Sequence, residues 1–141
     1  MPISIALGKP LIGAVLARLS ARGQTRRVVD MGPGAGTYAD LFRGLTPDAT
    51  WCAVEVWGPY VEKYGLQDKY DQVIVADVRY LDFIKLGPSD VMLFGDMLEH
   101  MDDFFCLILG LSDVWFKVNA WYARCDPEDL SSEVFVYVHL A

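Results

Sequence analysis

The chain has 141 residues, 53% of them apolar, enough for one domain with a real core (1–141) and too few for two. Twelve Lys and Arg against 19 Asp and Glu give a formal charge of −7, which disfavours nucleic acid and acidic membrane surfaces as partners. No apolar run approaches the ~18–20 residues of a membrane helix, the N-terminus has no signal-peptide layout, and Cys52, Cys106 and Cys125 lack C-x-x-C spacing; a reducing, cytoplasmic setting without disulfides or a zinc framework is expected.

Residues 1–22 predict an N-terminal helical segment. Leu11, Ile12, Val15, Leu16 and Leu19 form a helical stripe after Pro10, which suits a first turn, and Gly23 suits the position just past the end. This helix is expected on the sheet edge. Arg22, Arg26 and Arg27 read as solvated charge before a strand. Val28 and Val29 are stiff, β-branched strand formers with Asp30 at the strand's end. Gly32, Gly34 and Gly36 then alternate with Pro33 and Ala35, a turn able to take positive φ and to let a ligand approach bare backbone. Thr37 suits the cap of a helix whose apolar face is Tyr38, Leu41, Phe42 and Leu45.

Strand, glycine turn and helix make the first half of a βαβ unit. A second strand, Thr50 to Val56, carries Glu55 near its end, 25 residues after Asp30 (55 − 30), where a carboxylate can accept from both hydroxyls of a ribose. Pro59 starts a helix that Gly65 ends. Tyr70 to Ala76 holds the continuous run Val73-Ile74-Val75, which predicts a buried parallel strand. Asp77 follows, before a short helix near residues 79–85. Asp90 to Phe94 is a fourth strand running into Gly95-Asp96-Met97-Leu98-Glu99-His100. Beyond His100, Phe104, Phe105, Ile108 and Leu111 suggest a helix. Residues 114–122 predict a fifth strand suited to an edge, and 133–140 a last one. Alternation of strands with helical patterns predicts an α/β, doubly wound, mostly parallel Rossmann-like sheet of about six strands, helices on both faces and a ligand across the strands' carboxyl ends.

The pattern D-x-G-P-G-A-G-T at Asp30–Thr37 resembles motif I of the class I S-adenosylmethionine-dependent methyltransferases, and Asp90–His100 resembles motif IV of small-molecule and RNA 2′-O methyltransferases. The resemblance implies a methyl donor, S-adenosyl-L-methionine, held by Asp30, Gly32, Pro33, Gly34, Gly36, Thr37, Glu55, Val56, Asp77, Val78 and Asp96. It places carboxylates near the donor's amino group and ribose, Asp77 on the adenine amino group and Val78 on the ring. Asp77 is equally well read as a helix cap. The family usually has seven strands, so 102–141 reads as a divergent, shortened C-terminal part.

Asp96 and His100 are the candidate bases for an acceptor that must lose a proton. Asp96, Glu99 and His100 share one face of a helix, and with His139 could hold a divalent metal, as some relatives of this stretch do with E-x-x-E-H. The plainer reading, a helix-start acid beside a packed His, is preferred. The acceptor expected is a small molecule or an exposed hydroxyl or carboxyl. Base-amino and cytosine-C5 methylation lack their N/D-P-P-aromatic and Pro-Cys motifs. A shortened, non-catalytic donor-binding domain is the alternative. A nicotinamide-dependent oxidoreductase is disfavoured, because Thr37 replaces the third glycine of G-x-G-x-x-G and no Tyr-x-x-x-Lys pair occurs.

Overall fold

The computed structural model of the chain describes residues 9–87, 89–95, 118–124 and 134–140. In order, these form α1 (Lys9–Ala21), β1 (Arg27–Met31), α2 (Thr37–Phe42) running into a 3-10 turn (Arg43–Leu45), and β2 (Thr50–Glu55). Then come α3 (Gly58–Lys63), α4 (Leu66–Lys69), β3 (Gln72–Val75), a 3-10 turn (Val78–Tyr80), α5 (Phe83–Leu86), β4 (Val91–Phe94), β5 (Val118–Arg124) and β6 (Val134–Leu140). The strands form a six-stranded sheet in the order β3-β2-β1-β4-β6-β5. β1 to β4 are parallel, whereas β6 runs antiparallel to both β4 and β5. The expected α/β, mostly parallel architecture is what the described residues show.

Strand register sorts the side chains. Val28 pairs with Trp51 and with Val91, and Ala53 with Asp30, which itself pairs with Leu93. These residues share one face of the sheet, because side chains alternate along a strand. Val28, Trp51, Ala53, Val91 and Leu93 pack there with Ile12, Leu16 and Leu19 of α1, Tyr38, Ala39 and Phe42 of α2, Val61 of α3 and Leu66 of α4. α1 therefore joins a core cluster with three neighbouring strands, where a position on the sheet edge was expected. It crosses α2 at Gly13, whose missing Cβ would stand 3.2 Å from the Phe42 ring. Gly23 ends α1 as expected, at φ 68° with its N–H on the Ser20 carbonyl. Arg27, of the opposite parity to Val28, donates to the Leu86 carbonyl at 2.7 Å and so meets α5. Cys52 is buried, and burial pushes its thiol pKa up.

Several local expectations are corrected. The stripe of α2 is rotated: Tyr38, Ala39 and Phe42 are buried, while Leu41 and Leu45 are exposed and the helix tightens to 3-10 after Phe42. Leu11 of α1 is 50% exposed. β3 is an outer strand of the sheet and not the buried strand expected: Val75 is 58% exposed. A run of β-branched residues reports strand propensity, but which flank stays open is settled by pairing with β2 alone. β5 takes the edge expected of it; its described residues are 118–124, and 114–117 of the expected strand lie outside the described residues. The helix expected near residues 104–111 lies outside the described residues.

Two aspartates tie the strand starts together. Asp71 accepts the Trp51 N–H at 2.8 Å and the Arg43 guanidinium, and Asp90 accepts the N–H groups of Arg26 and Arg27 at 2.7 and 2.9 Å. The Trp51 N–H, then Arg43, hold the Asp71 carboxyl below its ordinary value of 3.8. A lowered folded-state pKa contributes stability above the unfolded value that is lost as pH falls through the folded one. Asp71→Asn should therefore lower stability at pH 7 and flatten the loss of stability below pH ~4, measured by urea unfolding at both pH values. Leu16→Ala should cost about 2–5 kcal/mol in the same assay, whereas Leu11→Ala should stay within about 0.5 kcal/mol.

Candidate functional site at the glycine turn

β1 has β2 and β3 on one side and β4 on the other, so the winding of the parallel strands reverses beside it. In open α/β sheets the crevice outside such a reversal is where ligands bind. The glycine turn sits there. Gly32, Gly34 and Gly36 have φ of 70°, 52° and 77°, the left-handed region that side chains with a Cβ rarely adopt. The Gly32 N–H donates to the Val54 carbonyl at 2.8 Å, carrying the β1–β2 ladder one residue past β1. Gly36 caps α2 and donates to the Pro33 carbonyl, while its own carbonyl accepts from the Asp40 N–H. Thr37 is accordingly the first helical residue and not the cap expected, because the left-handed glycine has taken that place.

Two acids flank the turn. Asp30 is 1% exposed and Glu55 4% exposed. Asp30 pairs in register with Ala53, two residues before Glu55, so the two acids point to the same face with Cα atoms about 8 Å apart at standard strand spacings. One Glu55 oxygen accepts the Gly34 N–H at 3.3 Å, and the other accepts the Trp57 N–H at 2.9 Å. A carboxylate has about four lone-pair sites, so Glu55 keeps acceptor capacity. Asp30 accepts the Tyr70 hydroxyl at 2.6 Å. Burial, then the charge of Asp30, push the Tyr70 phenol far above its ordinary value. Lys69 donates to the Ala35 carbonyl at 2.9 Å and to Asp40 at 2.6 Å.

The remaining expected residues are distributed as follows. Asp77 accepts from the Arg79 N–H at 3.0 Å and from the Arg79 guanidinium at 2.9 Å, so it caps the 3-10 turn Val78–Tyr80. The Arg79 guanidinium, then its N–H, hold the Asp77 carboxyl below its usual range. Val78 is buried, whereas Val56 is 61% exposed and Trp57 beside it is also exposed. Asp96, Glu99 and His100 lie outside the described residues. Gly95, just before them, packs against Tyr38: a Cβ there would stand 2.7 Å from the ring. His139 pairs with Val91, the first residue of β4; its backbone is therefore about 10 Å, three residues of rise, from the strand's carboxyl end. Among the described residues no group of three His, Cys, Asp or Glu is placed to hold a metal ion.

Tyr70, Lys69 and Trp57 were not among the residues the sequence singled out. Tyr70 lies 40 residues from Asp30 and Lys69 34 from Ala35, so no local spacing announces either contact. Trp57 had a signal, an aromatic two residues after the acid that ends β2.

No family model matches the chain, and no curated protein matches it in sequence. Solved structures do match. EvdMO1 superposes with a TM-score of 0.62 at 16% identity over 91% of this chain and 41% of its own. Human methyltransferase-like protein 13, solved in complex with SAH, gives 0.56 at 14% identity over 94% of this chain and 81% of its own. The N-methyltransferase NodS from Bradyrhizobium japonicum WM9 gives 0.52 at 9% identity, covering 94% of this chain and 96% of its own. The chain thus spans less than half the length of EvdMO1 and 64% of the N-terminal domain of that protein. With four parallel strands, flanking helices and a glycine turn where the strand order reverses, the chain has the Rossmann-like fold of the S-adenosylmethionine-dependent methyltransferases.

Proposed function

We propose that the chain binds S-adenosylmethionine at the carboxyl ends of β1, β2 and β3 and transfers its methyl group to a small molecule or an exposed hydroxyl or carboxyl. The observation that carries this reading is the tie between Glu55 and Gly34: a ribose-type acid bonded to a left-handed glycine turn at the reversal of strand order. The solved neighbours support it. Methyltransferase-like protein 13 and the N-terminal domain of EvdMO1 were crystallised with SAH, the latter also in the presence of D-fucose. Among the described residues no helix is long and apolar enough to cross a membrane, in keeping with a cytoplasmic enzyme.

Each side chain has a role in this reading. Gly32, Pro33, Gly34, Gly36 and Thr37 present backbone to the donor. Glu55 receives the ribose hydroxyls, and Asp30 serves the amino end. The exposed Val56 packs on the adenine, with Val78 and Asp77 on its far side. Asp77 accepts the adenine amino group only by sharing its carboxylate with Arg79. The bound donor supplies a methyl group made electrophilic by its sulfonium. The protein supplies alignment, worth roughly 7–11 kcal/mol of a barrier. Asp96 and His100, directly after β4, take the acceptor's proton where it has one to lose. A metal shared by Asp96, Glu99, His100 and His139 is not part of the proposal, given the register of His139.

Calorimetry with SAH should show binding, and no heat at millimolar ligand refutes the site. Glu55→Gln should weaken SAH about tenfold or more, the scale of a hydrogen bond to a charged group. Methyl transfer is a separate claim, with a non-catalytic donor-binding domain as the runner-up. Label from methyl-tritiated donor should appear on a component of a crude extract. Tight SAH binding with no labelled product would leave a donor-binding domain and overturn the enzyme.

A further inference from the structure

Three residues downstream of α3 grip the glycine turn at separate points. Leu66 and Lys69 lie beneath Gly36, where a Cβ would stand 3.2 Å and 2.8 Å from their side chains. The Lys69 ammonium bonds the Ala35 carbonyl. Tyr70 reaches Asp30 at the base of the turn, both residues being buried. The Tyr70 ring is itself held, packing beside Trp51 with ring centres 6.4 Å apart. Leu66 and Lys69 already seat the turn, so the Tyr70 hydroxyl adds something else: it fixes one atom of one carboxylate.

We propose that Tyr70 is a positioning residue of the donor site, its hydroxyl setting the Asp30 carboxylate to receive the donor's amino group. This rests on the reading that Asp30 serves that end of the donor. A short O–H···O⁻ bond is among the stronger hydrogen bonds and favours the ionised acid. An ionised, oriented acid is what an ammonium group requires, and a buried carboxylate without such a donor drifts toward its neutral form. The phenol remains a donor across the working pH range, because burial and Asp30 both oppose its ionisation. Among the described residues, the charged groups near Asp30, Tyr70 and the turn include Asp40, Lys69 and Glu55.

The test compares two ligands sharing an adenosine but differing at the amino-acid end: SAH, which has the amino group, and 5′-methylthioadenosine, which lacks it. In Tyr70→Phe, SAH should weaken about tenfold while methylthioadenosine stays within about twofold. Partial unfolding would reduce both alike and leave their ratio unchanged. Asp30→Asn should produce the same loss of selectivity, and Tyr70→Phe added to it should change the ratio no further. Should Tyr70→Phe not fold, the ratio in Asp30→Asn alone decides: an unchanged ratio overturns the proposal. Equal weakening of both ligands in Tyr70→Phe makes Tyr70 merely structural and also overturns it. Wild-type protein that binds neither ligand overturns the donor site itself, a result distinct from these.

Discussion

The backbone of residues 32–36 turns through three left-handed glycines directly after β1, and the rest of the described structure is arranged around that turn. Only glycine takes such φ values without strain, so three of the five positions are closed to other residues. The Gly32 N–H stays on the β2 ladder and the Gly36 carbonyl starts α2. The turn is thereby pinned at both ends, with Gly32 exposed and Pro33 and Gly36 buried.

The acids divide by the end of the sheet they occupy. Asp71 and Asp90 sit at the amino ends, each bonded to strand N–H groups that would otherwise start a ladder without a partner. Asp30 and Glu55 sit at the carboxyl ends, beside the turn. Burying a carboxylate is costly unless it is hydrogen-bonded, and each of these two has donors: Tyr70 for Asp30, and the Gly34 and Trp57 N–H groups for Glu55. Amino-end acids stabilise strand pairing, whereas carboxyl-end acids brace the turn and the residues beside it.

The packed face explains why the turn stays in place. α1, α2, α3 and α4 cover the same side of β1, β2 and β4, with Leu16, Trp51 and Leu66 fully buried between them. Gly13 lets α1 approach Phe42, and Gly95 lets Tyr38 lie against the chain just past β4. In a close-packed interior such contacts transmit position from one element to the next. α2 is thus held to both the end of β1, through the turn, and Gly95 just after β4.

Taken by itself, the amino-acid order determined the succession of strands and helices, the glycine turn after the first strand and the acid that ends the second. Each is encoded within a few neighbouring residues: β-branched runs, glycines at alternate positions, a carboxylate after an apolar stretch. Lateral neighbours were decided only in the folded sheet. Val73-Ile74-Val75 suited a buried parallel strand and proved to be an edge, because nothing within a strand records whether both its flanks are paired. Thr37 lost the helix cap to Gly36, since the cap falls where the left-handed backbone falls. Asp77 takes the cap reading, one of the two the sequence left open, by accepting the Arg79 N–H. Tyr70 met Asp30 across 40 residues because α4 delivers it there, and a contact made by packing leaves no periodic trace in the chain.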